Sequence, residues 1–218
     1  MTQDSPVTES ELKFSLSDDT AQALSQYLDT HAQPLSTLQL SNEYFDTPAG
    51  DLNRLRIGCR IRRWNSDGEQ HAEQTIKLAG QIKDGLHQRP EYNLPQDKQE
   101  TPDLTSFPPQ IWPSGLSIDA VNKALQCIFN VQFKRHRWHL NIPYAQADTK
   151  VEIVLDQGFI FAGEEKEPIF EVEVELLSGE LEGLLEFAKM LTSKFELHEF
   201  NKSKAARGFA LAAVKGSK

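Results

Sequence analysis

The residues with the clearest chemical potential are carboxylates and cations spaced two apart. Glu9, Glu11 and Lys13 alternate, as do Glu171, Glu173 and Glu175, Arg60 and Arg62, and Arg135, Arg137 and His139. Glu152 and Asp156 share the same alternation, and Glu73, Thr75 and Lys77 form another such run, with Arg89 and Glu91 beyond it. In extended chain, residues two apart project from one face. Each run therefore puts its charge on one side, and the intervening residues, such as Leu12, Ile61, Trp138, Ile153 and Val174, are apolar. A half-buried sheet with a wet charged face accounts for any one of these strands. It does not account for the set. Three successive glutamates, with two more on the first strand, repel each other unless cations sit among them, and a solvated face normally mixes signs.

A barrel of reversed polarity does account for it, with an apolar outer wall covered by helices and a charged tunnel inside. Carboxylate clusters are hard donors suited to Mg²⁺ or Mn²⁺. Arginine and lysine clusters clamp phosphate oxygens, arginine through paired N–H donors. Together they supply what phosphoryl transfer needs, which is positioning and charge neutralisation. The pattern predicts a polyphosphate site.

The elements that must hold these residues follow from periodicity. Strands are expected at Glu9 to Leu16, Thr37 to Asp46, Arg56 to Trp64, His71 to Leu78 and Leu86 to Leu94. Three more are expected at Val131 to Ile142, Val151 to Phe161 and Pro168 to Leu177. Asn65-Ser66-Asp67-Gly68 and Lys83-Asp84-Gly85 read as turns. Helices are expected from Asp18 to His31, Ile118 to Phe129, Ser178 to Phe195 and Ser203 to Val214, and Pro95 to Ser117 reads as a surface excursion carrying Trp112. Eight strands joined mainly by hairpins predict an α+β chain built on an eight-stranded antiparallel β-barrel with helices packed on the outside.

Composition narrows the function classes. Of 218 residues 39% are hydrophobic and 25% charged, ordinary for a globular chain. The net charge of -9 argues against a general nucleic-acid partner, though not against an anion held by a local field. No apolar run approaches the roughly 20 residues of a membrane span. The acidic, polar start lacks a secretory pattern and the two cysteines, Cys59 and Cys127, read as free thiols, so a cytoplasmic location is expected.

Several ordered motifs give the chain a family resemblance. Glu9-Ser10-Glu11-Leu12-Lys13 matches an ExExK signature, and Asn42-Glu43-Tyr44-Phe45-Asp46-Thr47-Pro48, Cys59-Arg60-Ile61-Arg62 and Thr75-Ile76-Lys77 follow it. His87-Gln88-Arg89-Pro90-Glu91-Tyr92-Asn93, Leu155-Asp156-Gln157-Gly158, the Glu171 to Glu175 run and Ser203-Lys204-Ala205-Ala206-Arg207-Gly208 complete the order. In this the chain resembles the CYTH, or triphosphate tunnel metalloenzyme, superfamily over about residues 7 to 212, and most of all its bacterial inorganic triphosphatases. The resemblance implies a single domain over residues 1–214, with 215–218 as a tail or linker stub. In such triphosphatases this domain often precedes a helical CHAD domain, of which these 218 residues contain none. Cys59 stands where the family usually has leucine and is expected to face outward.

The resemblance also implies roles. Glu9 and Glu11, with Glu171, Glu173 or Glu175 and with Asp156, would hold the metal. Lys13, Arg60, Arg62, Lys77, Arg89, Arg135, Arg137 and Lys204 would bind a small-molecule triphosphate, Lys13 acting in catalysis as well. Glu152, Asp156 or a glutamate of the 171/173/175 set would orient or deprotonate the attacking water. The implied reaction is hydrolysis of inorganic triphosphate to pyrophosphate and phosphate. The alternatives on the same fold are an adenylate cyclase, a thiamine or nucleoside triphosphatase, and a non-catalytic polyphosphate sensor. A homodimer is compatible with the sequence. Histidines 31, 71, 136, 139 and 198 lack metal-ligand spacing and are expected in surface or packing roles, whereas His87 shares the Arg89 face near a tunnel mouth.

Overall fold

A computed structural model of the chain describes residues 7–96, 100–145 and 148–213; the expected tail at 215–218 lies outside the described residues. The chain opens with β1 (Val7–Ser15) and α1 (Asp18–His31), then the short β2 (Gln33–Pro34) and β3 (Leu38–Asp46). One turn of helix, α2 (Asp51–Arg54), leads to β4 (Gly58–Ser66), β5 (Glu69–Lys77), the short β6 (Gln81–Lys83) and β7 (Leu86–Pro95). After α3 (Ile118–Ala124) come the long strands β8 (Gln126–Ile142), β9 (Thr149–Ala162) and β10 (Glu165–Ser178). α4 (Leu181–Lys194), β11 (His198–Glu199) and α5 (Lys204–Ala213) follow.

All pairings are antiparallel, in the order β1-β10-β9-β8-β3-β4-β5-β7. β1 also pairs with β7, which closes eight strands into a barrel. Two hairpins carry the expected turn chemistry. Asp67 and Gly68 both have positive φ, 53° and 80°, between β4 and β5, and Asp84 and Gly85 repeat this at 50° and 78° before β7. Both central residues in the left-handed region make a turn whose twist matches that of the strands.

The outer wall is apolar and covered. Leu12, Phe14, Trp138, Ile153 and Val174 bury against α1 and α4 through Leu24, Leu28, Leu184 and Leu191. On the opposite wall Ile61, Ile76 and Tyr92 pack with Leu52, Leu104, Phe107 and Val121, and Cys59 is buried there, outward as expected. The segment read as a surface excursion thus covers this part of the barrel wall, because Leu104 and Phe107 are buried and Trp112 packs edge-on to Phe107. The helix expected from Ile118 to Phe129 stops at Ala124. From Gln126 onward Asp46 and Phe45 pair with Gln126 and Cys127, and the alternation of Phe129, Val131 and Phe133 prevails over a helical reading of Val121, Leu125 and Ile128.

α5 sets the third apolar cluster. It packs at one end of the barrel, where Phe209 meets Phe129 edge-on at 5.1 Å. Gly208 makes this approach feasible, since a Cβ there would lie 2.1 Å from the Phe129 ring. Ser203 caps the helix by accepting the Ala206 N–H at 3.1 Å. The capped helix start brings Lys204 into the barrel.

Candidate active site

The charged strand faces converge as the alternation requires. A cavity of about 270 Å³ inside the barrel is lined by Glu9, Glu11, Glu173 and Glu175 and by Lys13, Arg60, Arg62, Lys77, Arg89, Arg135 and Lys204. Glu152 lines it too. Asp156 and Glu171 lie deeper, almost fully buried beneath Lys204. Arg137 lies toward the mouth near Leu38 and Trp64.

The carboxylates form two groups of different electrical character. Ligand atoms of Asp156, Glu171 and Glu173 lie within 4.8 Å of one another, the one such group among the described residues. Its charge is already met. Arg135 grips Asp156 through Nε and Nη2, both at 2.7 Å, and reaches Glu173 at 3.0 Å. Lys204 bonds Asp156 at 2.7 Å, Glu173 at 3.0 Å and also Glu171, which accepts from Arg207 at 3.0 Å. Lys13 bonds Glu173. Burial works against ionisation here, but these cations outweigh it and hold Asp156 and Glu173 below the usual carboxylate range.

The second group is Glu9, Glu11 and Glu175. Glu9 is held ionised by Lys77 at 2.7 Å and Arg89 at 2.8 Å, against its burial. Glu11 pairs with Lys13 at 3.1 Å and Arg89 at 3.4 Å, yet burial, with Glu173 and Glu9 nearby, still raises its pKa. Glu175, the β10 partner of Glu11, makes no hydrogen bond or ion pair among the described residues. Burial and the carboxylates of Glu9 and Glu11 push it up to about 8. A hard divalent cation beside these oxygens would relieve that strain, so the donor set fits such a cation better here than at the neutralised trio.

The cations show the converse imbalance. Arg62 is pushed down to about 10 by burial and by Arg60 and Arg135, and its nearest carboxylate, Glu73, is 3.8 Å away. Arg60 has a buried Nε without a partner, Tyr44 as a hydrogen-bond partner, and its carboxylate contact, to Glu91, is 3.7 Å long. One wall of the cavity thus holds guanidinium charge in excess and another holds carboxylate charge in excess. An anion with several oxygens would meet the first, and a hard divalent cation the second.

Comparison with known proteins bears on the family. The CYTH domain model matches residues 8–209. The chain belongs to the CYTH family. It is 35% identical over 210 residues to an inorganic triphosphatase of Haemophilus influenzae, covering 94% of this chain and 55% of that protein, so it spans about half the relative's length. Among solved structures, a Hippeastrum protein first taken for an adenylyl cyclase and described as having a dominant triphosphatase activity aligns with a TM-score of 0.66 at 19% identity, over 93% of this chain and 95% of its own. The PH1819 protein of Pyrococcus horikoshii aligns with a TM-score of 0.59 at 17% identity, over 95% and 99%. The likeness to both is one of fold: a closed eight-stranded antiparallel barrel with helices around it.

The structure brings most of the expected site residues to one cavity and ties others elsewhere. Glu152 is engaged by Arg137 at 2.7 Å and by His139 at 3.2 Å, toward the mouth. His87 is buried and lines a side cavity of about 310 Å³ that adjoins the tunnel at Gly58 and Ala205. Sequence reasoning missed Arg207, Tyr44 and Asn42. Arg207 stood inside a quoted motif, and its bonds to Glu171 and Glu167 need the docked helix. Tyr44 and Asn42 have the inward parity on β3, with Arg60 and Arg62 as their β4 partners. That register was the available signal.

Proposed function

We propose that this chain hydrolyses inorganic triphosphate to pyrophosphate and phosphate inside the barrel, with Mg²⁺ or Mn²⁺ held by Glu9, Glu11 and Glu175. The observation that carries the reading is the double imbalance of the cavity: Arg60 and Arg62 have only long carboxylate contacts, at 3.7 and 3.8 Å, while Glu175 makes no ion pair among the described residues and only the more distant Lys77 opposes its raised pKa. The 35% identity to an inorganic triphosphatase supports the same substrate. When bound, the metal supplies Lewis-acid polarisation of the phosphoryl oxygens. Arg60, Arg62, Arg135 and Lys77 bind and orient the phosphates, and Lys13 and Lys204 donate to the oxygens on which charge develops. Asp156 and Glu173, kept ionised by their cations, anchor those lysines together with Glu171, and Glu173, the one of the three that lines the cavity, accepts from the attacking water. The water oxygen bonds to a terminal phosphorus as its proton passes to Glu173 or to solvent, and the bridging P–O bond breaks in line with its electron pair leaving on pyrophosphate.

The domain is proposed to span residues 1–214 and to work in the cytoplasm, a setting compatible with the free thiols of buried Cys59 and exposed Cys127. No helix among the described residues is long and apolar enough to cross a membrane.

A second reading, an organic triphosphate such as a nucleoside or thiamine triphosphate, is favoured by one observation. The side cavity joins the tunnel and mixes apolar walls, Ile57, Leu78 and Phe209, with amide groups. Phosphate release from tripolyphosphate, ATP, thiamine triphosphate and pyrophosphate, each with Mg²⁺, Mn²⁺ or EDTA, separates the readings. Metal-dependent preference for tripolyphosphate is expected. Preference for an organic triphosphate supports the second reading, cyclic AMP from ATP replaces both, and binding without turnover leaves a sensor.

A further inference from the structure

Arg62 has one carboxylate contact in the tunnel, a long one to Glu73 at 3.8 Å, and it donates a hydrogen bond to a neutral side chain. Asn42 lies on β3 directly opposite Arg62 on β4, fully buried, and its Oδ1 accepts the Arg62 Nε–H at 3.0 Å. Because a guanidinium only donates, the Asn42 oxygen must face it, and the amide nitrogen must face away. That nitrogen is buried with no hydrogen-bond partner among the described residues. An unsatisfied buried donor is destabilising, because it gives up its bond to water and gains none. Aspartate, of the same shape, would remove the orphan donor and give Arg62 an ion pair. Asparagine keeps the geometry and forgoes the pair.

We propose that Asn42 is a positioning residue for substrate binding, holding Arg62 by its Nε with a neutral acceptor so that the guanidinium stays fixed and its charge stays available to phosphate. The inference rests on the reading of the tunnel as a triphosphate site. A negative charge at position 42 would compete directly with the substrate for Arg62, whereas loss of the acceptor would free the arginine to swing toward Glu73, 3.8 Å from its Nη1. The two failures differ in stability, since Asn42→Asp satisfies every group that Asn42→Leu leaves unpaired.

The test is the KM of tripolyphosphate in wild type, Asn42→Asp, Asn42→Leu, Arg62→Ala and the Asn42→Asp/Arg62→Ala double variant, with thermal melting of each. In Asn42→Asp, KM is expected to rise about tenfold or more with kcat changed far less and the melting temperature not lowered. In the Arg62→Ala background the same substitution is expected to add little to KM. An unchanged KM in Asn42→Asp, or an equal rise with and without Arg62, overturns the inference while leaving the substrate reading standing. A wild-type chain that neither binds nor hydrolyses tripolyphosphate overturns the substrate reading, and with it the purpose given to Asn42.

Discussion

Glu11 and Glu175 face each other across β1 and β10, and only the first has a cation partner. Burial and the neighbouring carboxylates push Glu175 up to about 8, from 4.5, with Lys77 opposing. A folded pKa raised above the unfolded one gives stability that is complete below the unfolded value and is lost as pH climbs through the folded one. In EDTA, the melting temperature is therefore expected to fall between about pH 5 and about pH 8.5, and Glu175→Gln to flatten that fall. Glu9, Asp156 and Glu173 are shifted the other way and act below this window. Identical pH slopes in wild type and variant would contradict the assignment.

Glu11→Gln removes a metal donor and one of the mutually repelling charges. Turnover of tripolyphosphate is expected to drop at least about 100-fold, with melting in EDTA equal to or above wild type. Near wild-type turnover would remove Glu11 from the metal site.

Lys204 joins three buried carboxylates at once. Lys204→Met leaves them under-compensated, and removing one partner from a buried ionic group costs about 3–5 kcal/mol. Urea unfolding measures it; unchanged stability would mean that the trio is not held by Lys204.

Gly208 lies where any side chain would meet Phe129. Gly208→Val is expected to destabilise by about 1–3 kcal/mol through overpacking. It should also lower kcat, since displacing α5 draws Lys204 and Arg207 away from their carboxylates. Stability and rate matching wild type would show that the helix end is free to give.

Much of the fold was legible because strand faces have a period of two. Glu9, Glu11, Arg60, Arg62 and Glu171 to Glu175 declared an inside, while Leu12, Ile61 and Val174 declared an outside. Where both periods fit, as at Ile118 to Phe129, the register with β3 decided, and a local window does not contain it. The partition of the carboxylates was hidden for a different reason. Glu173 and Glu175 are equivalent in sequence, yet Lys13, Lys204 and Arg135 converge on the first and none on the second. That difference depends on how β1, β8 and α5 meet β10, which is a tertiary event.

Anomalous scattering from a crystal soaked with Mn²⁺ and a non-hydrolysable triphosphate analogue tests the metal-and-phosphate tunnel most directly. The expected result is a manganese peak bound by Glu9, Glu11 and Glu175, with the analogue's oxygens on Arg60 and Arg62. A peak at Asp156, Glu171 and Glu173, or an analogue bound away from the barrel interior, would contradict it.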